Sequence, residues 1–299
     1  MKLSVILICY DMAREIPRSL QGLSRPYQIG AADLDYEVLL VDNGSPVPLD
    51  PQSWAHVDVP VVHIEIENAH PSPAAAINHA LARAQGEIVC VMIDGAHILT
   101  PGVFNLAIAA FDMFDNPVVA TRYFWMGPKA QNLSISEGYN QEVEDRLLEK
   151  IDFPSAGYRL FEVGTALRTA NENINWMNRL FESNCFFMGT GFFRELGGAD
   201  ERFDFPGGGF INSDIFKRAV DHPDTTAVQL IGEGCFHQVH GGTTTNITTE
   251  ERKPQLEEYL DQYEAIRGNR DIITHSTFSF LGHVPNDAAK IHRKRKFEY

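Results

Sequence analysis

The sequence predicts an α/β fold: a largely parallel sheet with helices on both faces. Three observations predict it. Short apolar runs without alternation, at 3–9, 36–42, 61–67 and 87–94, read as strands buried on both faces. Segments of helical period separate them, the pattern of βαβ units over roughly the first 110 residues. Three strand ends carry polar tips, Tyr10-Asp11, Asp42-Asn43 and Asp94. Ligands on such sheets bind beyond the carboxyl ends of the strands.

Taken in order, the first strand leads into a helix over 14–23, with Ile16, Leu20 and Leu23 on one face. The strand at 36–42 is stopped by Asn43-Gly44-Ser45-Pro46, a dense turn signal. The third strand precedes an alanine-rich helix that Ser72 caps, with Pro73 in its first turn. The fourth carries Asp94 to its tip, and a helix over 101–111 follows. The second half is less regular. It offers a strand at 117–126, an acidic amphipathic helix at 137–150, then an apolar strand, glycines and two helices between 183 and 220. Two strands, 226–232 and 235–240, and a surface helix at 250–267 follow. No linker or repeat interrupts the chain, so 1–245 reads as one domain and 246–299 as a helical extension.

A chain of 299 residues can bury a large core, and 44% hydrophobic with 22% charged residues is ordinary for a soluble protein. A net charge of −15 argues against nucleic acid as a partner, because a polyanion is repelled. The basic run His292, Arg293, Lys294, Arg295 and Lys296 is the exception: it reads as a frayed end or a peripheral contact with anionic lipid. Cys9, Cys90, Cys185 and Cys235 lie far apart with no C-x-x-C pair, so buried reduced thiols in a cytoplasmic protein are expected. The apolar run at the N-terminus is too short for a leader, and no segment has the length of a membrane span. The sequons at Asn132 and Asn246 are accordingly given no role.

The first βα turn, residues 9–15, has no glycine, which argues against a Rossmann dinucleotide loop and a P-loop. The stretches "LSVILICYDMAREIPRSLQGL", "YEVLLVDNGSP" and "GEIVCVMIDGAHILTPGVF" are similar to the N-terminal half of family 2 glycosyltransferases of the GT-A fold. "FMGTGFFRELGGADERF", "NSDIFKRA" and "FHQVHGGTTT" resemble that family's acceptor-side segment, E-D helix start and late histidine-glycine segment. The six motifs run in the family's order across roughly residues 1–245. The resemblance implies a nucleotide-binding half over 1–110 and an acceptor-side half over 111–245.

By the same resemblance, Asp42 would bind base or ribose, together with Tyr10, Asp11 and Asn43, although a turn cap also explains Asp42. Asn78 matches an asparagine on the family's A-R-N-x-G helix. Asp94 stands at the first position of a D-x-D motif, which holds Mn²⁺ or Mg²⁺ against the diphosphate, but Ala96 replaces the second aspartate. His97, next in the chain, would either ligate the metal or face phosphate as a cation. His237 and His240 form H-x-x-H, and both can ligate one ion only if the chain turns between them. Asp214 would be the general base, with Ser213 in place of the neighbouring glutamate. Gly189, Gly191, Arg194 and Trp125 would line the acceptor pocket. The expected function is inverting, metal-assisted sugar transfer from a UDP- or GDP-sugar to a hydroxyl acceptor. A binding protein without catalysis is the alternative, and a nucleotidylyltransferase a third.

Overall fold

The computed structural model describes residues 1–167, 175–243 and 245–290. The basic run at 292–296 lies outside the described residues. The sheet is built from ten strands. In chain order the elements are β1 (Leu3–Cys9), α1 (Ile16–Gln21), β2 (Tyr36–Asp42), β3 (Val61–Glu65), α2 (Ala74–Arg83), β4 (Ile88–Met92), β5 (His97–Leu99) and α3 (Val103–Met113). Then come β6 (Pro117–Met126), α4 (Gln131–Ser134), α5 (Gln141–Lys150), α6 (Leu160–Val163), β7 (Gly164–Ala166), β8 (Phe186–Gly189) and α7 (Thr190–Glu195). The last are α8 (Ile211–Val220), β9 (Thr226–His237), α9 (Thr249–Arg267) and β10 (Ser279–Gly282).

The sheet order is β10-β9-β6-β8-β4-β1-β2-β3, with β5 on β9 and β7 on β6. β1, β2, β3 and β4 pair in parallel, as do β6, β9 and β10. β8 runs against both β4 and β6. The carboxyl ends of β1, β2, β4, β6 and β9 therefore share one rim with the chain entering β8.

The unalternating strands are explained by two cores. In β1, Leu3, Val5 and Leu7 pack into one core with α1 and α3, while Ile6 and Ile8 pack into the other with α2 and α8. Each such side chain contributes about 1.5–3 kcal/mol on full burial, so both faces must be apolar for the strand to stay in the sheet. A third cluster, built on Leu147, Leu148, Phe161 and Phe236, holds α5 and α6 against β9.

Two readings of the sequence are adjusted. The strands expected at 226–232 and 235–240 are one continuous strand ending at His237, with Gly232 at φ +81° where the backbone carbonyl of His283 leaves no room for a side chain. The segment 246–299, expected as helical, supplies β10 to the sheet edge as well as α9. The four cysteines are buried and unpaired, and no described helix is long and apolar enough to cross a membrane.

Candidate active site

A cavity of about 1210 Å³ opens on the rim where the parallel strands end. Its walls come from both halves of the chain: Cys9, Tyr10, Asn43 and Asp94 on one side, Trp125, Glu182, Asn212 and Arg252 on the other.

Asp94, His237 and His240 converge on it. Oδ2 of Asp94 lies 3.2 Å from Nε2 of His237 and 3.2 Å from Nε2 of His240, and the two Nε2 atoms are 3.1 Å apart. The chain does turn after His237. Gln238 N–H donates to the Ala96 carbonyl at 2.8 Å, Val239 N–H donates to Oε2 of Glu144 at 2.8 Å, and the Gln131 side chain donates to the His240 carbonyl at 3.1 Å. Three anchors, from α4, α5 and the loop before β5, fold His240 back beside His237. The other oxygen of Asp94 accepts from Ala96 N–H at 2.9 Å, so one carboxylate both caps its own turn and serves the cluster.

Burial would push Asp94 up, but His240 and His237 hold it well below the usual carboxylate range. Burial likewise works against a charged His240, and the charge of Asp94 outweighs it, raising His240. In His237 burial wins and the imidazole is lowered. One carboxylate and two imidazoles favour a divalent transition-metal ion, Mn²⁺ among them, over Mg²⁺. Three donors 3.1–3.2 Å apart have the spacing of neighbouring ligands on one ion at metal–ligand distances of roughly 2.1 Å. The donors fit an ion.

His97 is not part of this group. Its Nδ1 lies 3.1 Å from Sγ of Cys235, its Nε2 is buried without a partner among the described residues, and burial lowers it to about 3. The antiparallel pairing of β5 with β9 sets His97 opposite His237 and packs the rings 4.9 Å apart, behind the cluster. A cationic His97 on a phosphate is equally inconsistent with that burial.

Asp214 also departs from expectation. It is fully buried, lies off the cavity wall, and accepts from Nε of Arg218 at 2.8 Å and from Arg267 at 2.6 and 2.8 Å. With both oxygens held by guanidinium groups, it fastens α8 to α9 and has no access to an acceptor.

Asn78 ties α2 to the loop beyond α7: its amide donates to the Ala199 carbonyl at 2.9 Å and accepts from Ala199 N–H at 2.9 Å. Gly189, Gly191 and Arg194 lie at the other end of the sheet. β8 is antiparallel, so Gly189 faces Ile88 at the start of β4, and Arg194 donates to the Leu81 and Ala84 carbonyls at the end of α2. Asp42 is buried and accepts from Ser45 N–H at 2.8 Å, the turn-cap geometry, while Asn43 reaches the cavity. Asp11 donates its N–H to Ser45 Oγ at 2.9 Å, which leaves exposed Tyr10 at the cavity mouth.

Trp125 does line the cavity, packed 5.2 Å from the His237 ring in the same register of the sheet. Its indole N–H is buried without a partner among the described residues. Glu182, Asn212 and Arg252 were not singled out from the sequence. Glu182 and Arg252 lie 70 residues apart, and only the tertiary fold joins them.

The comparisons with known proteins agree with this architecture. Among solved structures, S. aureus TarS superposes with a TM-score of 0.51 at 15% identity, covering 89% of this chain and 44% of that one. The chain thus spans less than half the length of that protein. A 1–349 fragment of TarS in complex with UDP-GlcNAc gives a TM-score of 0.50 at 15% identity, covering 89% and 73%. The mannosyltransferase PcManGT from Pyrobaculum calidifontis, in complex with GDP-Man and Mn²⁺, gives 0.51 at 16%, covering 97% and 68%. No curated protein sequence matches the chain. The model of glycosyl transferase family 2 matches residues 4–166, more than half of the 299, and so the chain belongs to that family.

Proposed function

We propose that this chain moves a sugar from a nucleotide-diphospho-sugar to a hydroxyl acceptor with inversion at the anomeric carbon, assisted by a divalent ion. The observation that carries the proposal is the convergence of Asp94, His237 and His240 at the mouth of the cavity. These three residues would hold the ion. A bound Mn²⁺ or Mg²⁺ supplies positive charge to the departing diphosphate. Tyr10 and Asn43, beside the tips of β1 and β2, would border the nucleotide. Trp125 offers an aromatic surface on the cavity wall to a sugar ring. The ligands of the related structures, UDP-GlcNAc and GDP-Man with Mn²⁺, favour a UDP- or GDP-sugar donor. Four buried unpaired cysteines favour a reducing, cytoplasmic setting.

Calorimetric titration with UDP and GDP, with Mn²⁺ or with EDTA, tests the reading. Binding that needs Mn²⁺ and disappears in chelator supports it. Affinity that ignores chelator would remove the ion from the proposal.

A second reading, a nucleotide-sugar binder without turnover, is favoured by one observation: the carboxylate expected as base is sealed between two arginines. Release of nucleoside diphosphate from UDP-GlcNAc or GDP-mannose by the wild-type chain decides between the two.

A further inference from the structure

A hydroxyl that attacks an anomeric carbon must lose its proton to a group on the cavity wall. Among the described residues lining the cavity, only Asp94 and Glu182 are carboxylates. Both oxygens of Asp94 are engaged, one by Ala96 N–H and the other by the two histidines. Asp214 is walled off.

We propose that Glu182 is the general base of this chain, accepting the proton of the acceptor hydroxyl at the cavity wall. The proposal rests on the transferase reading above and adds to it the residue that performs proton removal. Position supports it first. Phe186 at the start of β8 pairs with Val91 near the end of β4, so the chain before β8 lies on the rim that carries Asp94. That approach is held firmly: Asn212 donates to the Ser183 carbonyl at 3.0 Å, and Ser183 Oγ donates to the Thr121 carbonyl at 2.9 Å. The glutamate hangs from a fixed backbone over an open cavity.

Its surroundings support it second. Glu182 lines the cavity, where its carboxylate can meet a ligand. The charges and titratable groups around it are Arg252 from α9 and Tyr123 from β6, with Asp94, His237, His240 and Lys129 also on the cavity wall. Burial raises its pKa and Arg252 partly offsets that, a direction that strengthens a carboxylate as a base. Asn184, Asn212 and Ser213 line the wall beside it and can bind other hydroxyls of a polyhydroxylated acceptor. In the step itself the acceptor oxygen forms its bond to the anomeric carbon as the bond from that carbon to the diphosphate oxygen breaks. The electron pair leaves with the nucleoside diphosphate, and the proton passes to Glu182.

Water can stand in for the acceptor, so the test needs no acceptor. UDP-GlcNAc and GDP-mannose are incubated with Mn²⁺ and the release of UDP or GDP is followed for wild type, Glu182→Gln, Glu182→Ala and Glu182→Asp. The expected result is release slowed about 100-fold or more in the Gln and Ala variants. UDP or GDP affinity should stay within about twofold, because a base acts in the transition state and not on the bound nucleotide. Wild type and Glu182→Asp should lose rate on acidification through a carboxyl titration, and Glu182→Gln should show no such limb. Release by Glu182→Gln within about threefold of wild type overturns Glu182 and leaves the transferase reading intact. A variant that loses nucleotide affinity instead places Glu182 at the donor and also overturns the proposal. A wild-type chain that binds either nucleotide but releases nothing from its sugar overturns the transferase reaction, and with it the part of Glu182.

Discussion

Two centres in this molecule have the same plan, one carboxylate between two basic side chains, and opposite purposes. Asp94 lies between His237 and His240 at the cavity, while Asp214 lies between Arg218 and Arg267 in the interior. The difference is in the partners. A guanidinium stays protonated and holds a carboxylate through several fixed donors, so the Asp214 centre can only be a clasp. An imidazole can shed its proton and present a lone pair, so the Asp94 centre can exchange protons for a metal ion. Charge pairing alone therefore does not mark an active site; the ability of the partners to let go does.

The largest effect that would sharpen this contrast is on stability. Asp214→Ala should cost about 3 kcal/mol, since it removes the buried carboxylate on which the part-buried Arg218 and Arg267 converge. Urea unfolding measures it, and the folded variant should bind nucleotide as wild type does. Normal stability with lost turnover would reverse the assignments of the two centres.

The mirror experiment is Asp94→Ala or His240→Ala. Donor turnover should fall by about 100-fold or more, close to 3 kcal/mol of transition-state stabilisation. Stability in chelator should change far less than for Asp214→Ala, because the cluster borders an open cavity. Turnover preserved in both variants would leave the cluster as a structural knot.

A third measurement uses His97, which lies against the Asp94 centre but outside it. The folded chain lowers His97 to about 3, against 6.5 for a free imidazole. The unfolded chain therefore takes up an extra proton between those values. The contribution of His97 is complete above about pH 6.5 and is lost as the pH falls toward 3, by up to about 1.4 kcal/mol per unit. In EDTA, wild type should lose about 1 kcal/mol more than His97→Gln between pH 6.5 and 5.5. Identical losses in the two proteins would show that His97 charges freely in the folded state.

The smallest effect belongs to Asn78→Ala. Removing its paired amide bonds to Ala199 should cost about 1–2 kcal/mol of stability with nucleotide affinity unchanged. A weaker nucleotide complex would return Asn78 to the site.

What could be read from the chain follows from the range of the forces involved. β1, β2 and β4 are legible because two-sided burial leaves an unbroken apolar run, and Asp94 is legible because it ends one. β5 and β7 span three residues each, too short for any period to show. His237 and His240 were visible as a pair, but the turn that unites them depends on Ala96, Gln131 and Glu144, none of them near in sequence. Asp214 was misread for a related reason. A polar residue opening a helix looks the same whether it faces a cavity or an arginine 53 positions later. Glu182 gave no signal because the direction of β8 is not written locally; only an antiparallel strand puts its preceding segment on the working rim.

The clasp at Asp214 also has a mechanical side. α9 is gripped near its last turn, where Arg267 meets Asp214 and Asp200, while its first turns carry Arg252, Leu256 and Tyr259 along the cavity wall. The helix is a rod of 19 residues, held at its last turn by the clasp and along its length by Tyr259 and Tyr263, which pack against Phe203, Phe205 and Phe210. Slack at the clasp would pass along it toward the first turns, about 20 Å away at 1.5 Å per residue. A substitution at Arg267 that never touches a ligand should therefore speed amide hydrogen exchange in the first turns of α9 and blur whatever selectivity that wall imposes.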